Sequence, residues 1–179
     1  GDLQKKSGEP INFLETDRYV KEYQEAGFTS LTMALQSKSD WASVDAKGLK
    51  PKNSSPKPEF AEQWKKFVAA VVERYDMDGN DDMPGLKSPV VYYEIGTEFS
   101  SYVPESAEEY INTLGMAYKA AHDAFGGVKI LHAAFLTTTA ITSASTPETY
   151  EKDFAAVKEK YGTRILWHSL EDNRKILDH

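Results

Sequence analysis

Residues 60 to 75 set Phe60, Trp64, Phe67, Val68, Val71, Val72 and Tyr75 at i, i+4, i+7, i+8, i+11, i+12 and i+15, and after one loop comes the apolar run VVYYEI from residue 90. The first pattern is the one-sided stripe of an amphipathic helix. The second, apolar nearly throughout residues 89 to 96, suits a strand covered on both faces, as in a parallel sheet.

The same alternation recurs on either side. Upstream, Thr16 is placed to cap a helix to about Ala26 with Tyr19, Tyr23 and Ala26 inward, Gly27 ends it, and FTSLTMALQ (28 to 36) reads as a strand. Downstream, Ser106 and Glu109 make a capping box for a helix whose face carries Tyr110, Leu114, Ala117, Tyr118, Ala121 and Phe125. Gly126-Gly127 stops it, and VKILHAAF (128 to 135) is a third strand. Thr146-Pro147 opens another helix with Tyr150, Phe154, Val157 and Tyr161 inward, and Ser169 and Asp172 look like the cap of a last one. Strands alternating with helices at this spacing imply right-handed βαβ units and a parallel sheet, which means a barrel or a doubly wound sheet. Three strands cannot close a barrel of eight, so residues 1 to 179 are expected to be a single-domain fragment. The Pro-, Lys- and Ser-rich stretch LKPKNSSPKPEF (49 to 60) reads as a long loop within that domain.

Composition excludes several partners. A formal charge of −7, with 21 Lys+Arg against 28 Asp+Glu and no basic block, argues against nucleic acid or an anionic membrane. No apolar run approaches the roughly 20 residues that span a bilayer. The opening GDLQKKSGEP lacks the apolar core of a signal peptide. The chain has no cysteine, hence no disulfide and no thiolate metal site, which leaves the compartment open. GxSxG, P-loop and GxGxxG motifs are all missing, so serine nucleophile, phosphate and dinucleotide readings have no support.

Chemistry concentrates in VVYYEIGTEFSS, residues 90 to 101. Glu98 falls where the strand gives way to a loop, the C-terminal end at which parallel α/β folds gather their sites. Glu94 lies four residues back on the same strand, on the order of 13 Å away. It reads as a deeper carboxylate that needs a cation or a hydrogen-bond donor nearby. Trp41 follows the preceding strand in a polar loop (SDWAS), where an indole either stacks on a sugar ring or packs beneath the loop. His132, alternating with Ile130 and Ala134, reads as a supporting residue below that end. Asp76, Asp78, Asn80 and Asp82 space oxygen ligands like the first half of an EF-hand, but Lys87 stands where its closing glutamate would fall. The loop is either an acidic turn or part of a structural calcium site completed elsewhere, at the end of the strand away from Glu98.

With its flanks, residues 67 to 89 and 106 to 135, this stretch resembles the fourth-strand region of clan A glycoside hydrolases, retaining enzymes on a (β/α)8 TIM barrel. The match runs from about Thr16 to Phe135 and implies a partial barrel, about the third to fifth βα units, that ends before closure. By that resemblance Glu98 is the acid/base, and Thr97 and Phe99 beside it contact substrate. Thr97 replaces the family's asparagine, whose amide both donates to and accepts from a sugar hydroxyl. The family's nucleophile, a glutamate on the seventh strand, falls outside this chain, which stops at His179. The implied function is hydrolysis of O-glycosidic bonds in an oligo- or polysaccharide, with no required cofactor, in a secreted or periplasmic setting. The alternative is a non-catalytic carbohydrate-binding relative.

Overall fold

The apolar stripe of residues 60 to 75 forms its helix and anchors the core. The computed structural model describes residues 3–39, 41–43, 55–96, 106–134, 148–149, 152–153, 155–156, 159 and 175–179. In chain order the elements are α1 (Leu14–Glu25), β1 (Thr32–Leu35), a 3-10 turn (Pro58–Phe60) running into α2 (Ala61–Arg74), β2 (Tyr92–Ile95), α3 (Ala107–Ala124) and β3 (Lys129–His132). The strands pair in parallel in the order β1-β2-β3, with Leu35 opposite Ile95 and Ile95 opposite His132.

Trp64, Val68, Val71 and Val72 of α2 are buried with Leu35, Tyr93 and Ile95 of the sheet and with Ala117 and Ala121 of α3. The capping box at the start of α3 forms as read, with Ser106 accepting from Glu109 N and Glu109 accepting from Ser106 N. The stripe of α1 is rotated from the expected one. Val20 and Gln24 are buried, while Tyr19 and Tyr23 are 48% and 52% exposed. The cause is polar: the Gln24 amide donates to the Ser88 carbonyl at 2.8 Å and accepts from Lys87 N at 2.9 Å, tying α1 to the approach of β2. The helix also starts two residues earlier than Thr16, with Asn12 accepting from Leu14 N.

The partial barrel is not what forms. Among the described residues the sheet is open and three strands wide, each strand has four residues, and β1 and β3 are its edges. One face, carrying Leu35, Tyr93 and Ile95, packs on the helical core; the other, carrying Thr32, Tyr92, Glu94, Lys129 and Leu131, does not. Tyr92 is 37% exposed and Leu131 39%, so among the described residues β2 is covered on one face rather than two. Alternating strands and helices specify parallel pairing and crossover hand, but the number of strands and the curl that closes a barrel are set elsewhere. The helix expected from Thr146 lies mostly outside the described residues, as do Ser169 and Asp172. Within it, Asp153 N–H donates to the Thr149 carbonyl, an i to i−4 bond, at 3.0 Å.

Candidate functional site

Where β1 ends, the chain opens a cleft of about 430 Å³ lined by residues 34 to 39, by Trp41 and by one side of α2. Phe60, Trp64 and Phe67 reach it because their spacing puts them on one flank of the helical stripe. Trp64 and Phe67 stack at 5.8 Å and 21°, and Trp41 meets Phe60 edge to face at 5.2 Å and 89°. Gln4, Gln36, Gln63 and Lys38 also line the cleft. Flat apolar faces with a few neutral donors and acceptors form the usual lining of a small-molecule site.

Trp41 is held through its backbone. Lys57 Nζ donates to the Trp41 carbonyl at 3.1 Å, Lys57 N donates to the Ala42 carbonyl at 2.7 Å, and Ser43 bridges to Pro56. Buried Ser55 continues the strap, donating to the Glu109 carbonyl at 3.0 Å and accepting from Thr113 Oγ1 at 2.6 Å. The indole N–H of Trp41 is screened from solvent and has no acceptor among the described residues.

The neighbouring strand leaves the sheet beside this cleft. Gly96 N–H donates at 2.8 Å to the carbonyl of Leu35, itself a cleft residue. Gly96 holds φ at +81°, a region that favours glycine, and a Cβ there would meet the Ala133 Cβ at 3.4 Å. Thr97, Glu98 and Phe99 follow directly and lie outside the described residues. Glu94 is half-buried on the uncovered face of the sheet and meets no cation or hydrogen-bond donor among the described residues. His132 is exposed at the end of β3, with Nδ1 2.7 Å from the Ala133 carbonyl oxygen.

The acidic loop sits at the opposite end of β2, between α2 and the strand. Carboxylate oxygens of Asp76, Asp78 and Asp82 lie within 4.8 Å of one another. The Asn80 amide N–H donates to Glu73. All three carboxylates already accept backbone N–H groups: Asp76 from Asp78, Asp78 from Asn80, and Asp82 from both Met77 and Gly79. Burial, ahead of any neighbouring charge, pushes the Asp76 carboxyl above its ordinary value.

Of the residues singled out from sequence, the structure puts Trp41 in the cleft and brings the carboxylates of Asp76, Asp78 and Asp82 together, while Glu94 and His132 do not line the cleft. Phe60, Phe67 and the three glutamines were not singled out for binding, although aromatic residues crowding the first turns of a strongly amphipathic helix are a readable signal. Trp64, read as core, is both core and cleft wall. No protein-family model matches the chain, and no curated protein matches it either.

Proposed function

We propose that the chain binds a saccharide in the cleft beside Trp41 and that its residues take part in hydrolysis of an O-glycosidic bond, with Glu98 as acid/base. The observation that carries this reading is that aromatic residues and glutamines line one cleft at the end of β1, beside Gly96 at the end of β2. Aromatic faces stack on the C–H faces of sugar rings, and amides both donate to and accept from hydroxyl groups. The motif VVYYEIGTEFSS, similar to the acid/base strand of clan A glycoside hydrolases, supports the chemical role.

In that role Glu98 starts protonated and delivers its proton to the glycosidic oxygen as the C–O bond breaks. As a carboxylate it then removes a proton from the water that releases the sugar. A second carboxylate, the nucleophile, comes from outside the matched stretch. We do not propose Glu94 for that role: four residues of extended chain span on the order of 13 Å, against about 5 to 5.5 Å in a retaining pair.

The test is Glu98→Gln in the full-length protein, assayed on a panel of 4-nitrophenyl glycosides and, by calorimetry, on soluble oligosaccharides. Loss of turnover with binding retained is expected. Turnover surviving the change sinks the acid/base assignment. Binding without turnover in the parent favours the non-catalytic alternative, and neither binding nor turnover ends the carbohydrate reading.

A further inference from the structure

Among the described residues, Lys38 is the one charged side chain that lines the cleft beside Trp41. No carboxylate of the described residues lines it, although the chain carries 28 Asp+Glu against 21 Lys+Arg. Elsewhere the lysines Lys6, Lys21, Lys65, Lys119 and Lys175 each meet a glutamate or aspartate at 3.9 Å or less. Lys38 is exposed and pairs with no carboxylate among the described residues.

Lys38 stands just past Leu35 on the loop at the C-terminal end of β1, and that loop is tied down on both sides of it. Ser37 Oγ lies 3.1 Å from Ser43 Oγ, Ser39 Oγ accepts from Ala42 N at 3.3 Å, and the Ser39 carbonyl accepts from Ser43 N at 3.0 Å. A loop fixed before binding loses less entropy when a ligand is held. A second ammonium backs the site, since Lys57 Nζ donates to the Trp41 carbonyl. Positive charge therefore gathers around Trp41 in a chain whose formal charge is −7. An unpaired ammonium beside aromatic walls suits a ligand that offers both an apolar ring face and an anionic group, because low-dielectric walls strengthen a charge pair.

We infer that the cleft selects an anionic saccharide, whose carboxylate or sulfate group pairs with Lys38 while its ring lies on the aromatic walls. The inference rests on the saccharide reading of this cleft and names the class of sugar. A neutral sugar leaves the ammonium hydrated and gains no charge pairing from it. An acidic sugar exchanges that water for an ion pair, whose strength falls as salt screens it. The gain in affinity is about fivefold for a well-placed exposed pair and about tenfold where the pair is also a charge-assisted hydrogen bond.

The experiment is calorimetric titration of the full-length protein with pairs of oligosaccharides that differ only in charge: oligouronides against their methyl esters, and sulfated oligosaccharides against their desulfated forms. The parent, Lys38→Met and Lys38→Arg are compared at low and at high salt, with thermal melts alongside. In the parent and in Lys38→Arg at low salt, the acidic member of a pair should bind about 5- to 10-fold more tightly than the neutral one. That preference should vanish in Lys38→Met and shrink at high salt, and the pair that shows it tells uronate from sulfate. Neutral members that bind as tightly as acidic ones in the parent overturn the inference and leave the saccharide reading standing. A preference that persists undiminished in Lys38→Met also overturns it. If no saccharide binds, acidic or neutral, the saccharide reading itself is refuted and the inference falls with it.

Discussion

Replacing Asp17 by alanine removes the acceptor at the centre of a network that joins α1 to the end of α2. The Arg74 guanidinium forks onto Asp17, with Nη2 to Oδ2 at 2.6 Å and Nε to Oδ1 at 3.3 Å, and the Tyr75 hydroxyl donates to Oδ1 at 2.8 Å. Arg74 also donates from Nη1 to the carbonyls of Asp81 and Asp82, at 3.1 Å each. The Asp17 hydrogen bond raises the Arg74 pKa, and burial followed by Asp17 raises that of Tyr75, so both stay protonated donors. The ion pair is partly screened, its side chains being 22% and 23% exposed, so it falls between about 0.5 kcal/mol for a surface pair and about 3–5 kcal/mol for a buried one broken on one side. Tyr75 is fully buried, and its stranded hydroxyl costs about 1–3 kcal/mol.

Together these give a loss of about 3 kcal/mol for Asp17→Ala, a large share of the roughly 5–15 kcal/mol that holds a typical protein folded. Tyr75→Phe alone should cost about 1 kcal/mol, and in the Asp17→Ala background almost nothing, leaving a coupling of about 1 kcal/mol or more. Urea unfolding of the four proteins, followed by far-ultraviolet circular dichroism, measures both quantities. A loss below about 1 kcal/mol, or strict additivity, would refute the network as described.

Two further outcomes follow from single residues. Asp76→Asn keeps the oxygen that accepts the Asp78 N–H but removes a charge that burial disfavours. A carboxyl whose folded pKa is raised binds more protons in the native state, so it contributes stability at low pH that is lost as pH rises through the folded pKa. The variant should therefore melt higher than the parent at pH 7 with the gain vanishing toward pH 3, and an equal gain at both would show that the charge is not the cause. Gln24→Leu leaves Lys87 N–H without its acceptor and should cost about 1–3 kcal/mol in urea, whereas an exposed glutamine would be replaced at almost no cost.

What the sequence disclosed follows how local each signal is. The stripe of α2 and the capping box of α3 depend on neighbours within a turn or two, and both formed as read. The buried face of α1 did not, because Gln24 is satisfied by residues over sixty positions away, a partner that periodicity cannot show. Alternating strands and helices fixed the parallel pairing but not the extent of the sheet, which is why an open sheet stands where a barrel segment was expected. Trp41 carried a legible hint in its loop after a strand, yet the cleft needed Phe60 and Phe67 to arrive from α2. The place of the Tyr110 hydroxyl between the Ala133 N–H and the Ile95 carbonyl was not legible at all. In sequence Tyr110 is one more apolar position of a helix face, and only the tertiary fold brings its hydroxyl to these two groups.

A saccharide bound in the cleft at the end of β1 would lie against Trp41 and Trp64. Titrating soluble oligosaccharides into the protein while following tryptophan fluorescence tests this directly, with Trp41→Ala alongside. A saturable change in the parent that is lost in Trp41→Ala, with the melting profile preserved, is the predicted result. No saturable change with any saccharide, or equal binding by Trp41→Ala, would contradict it.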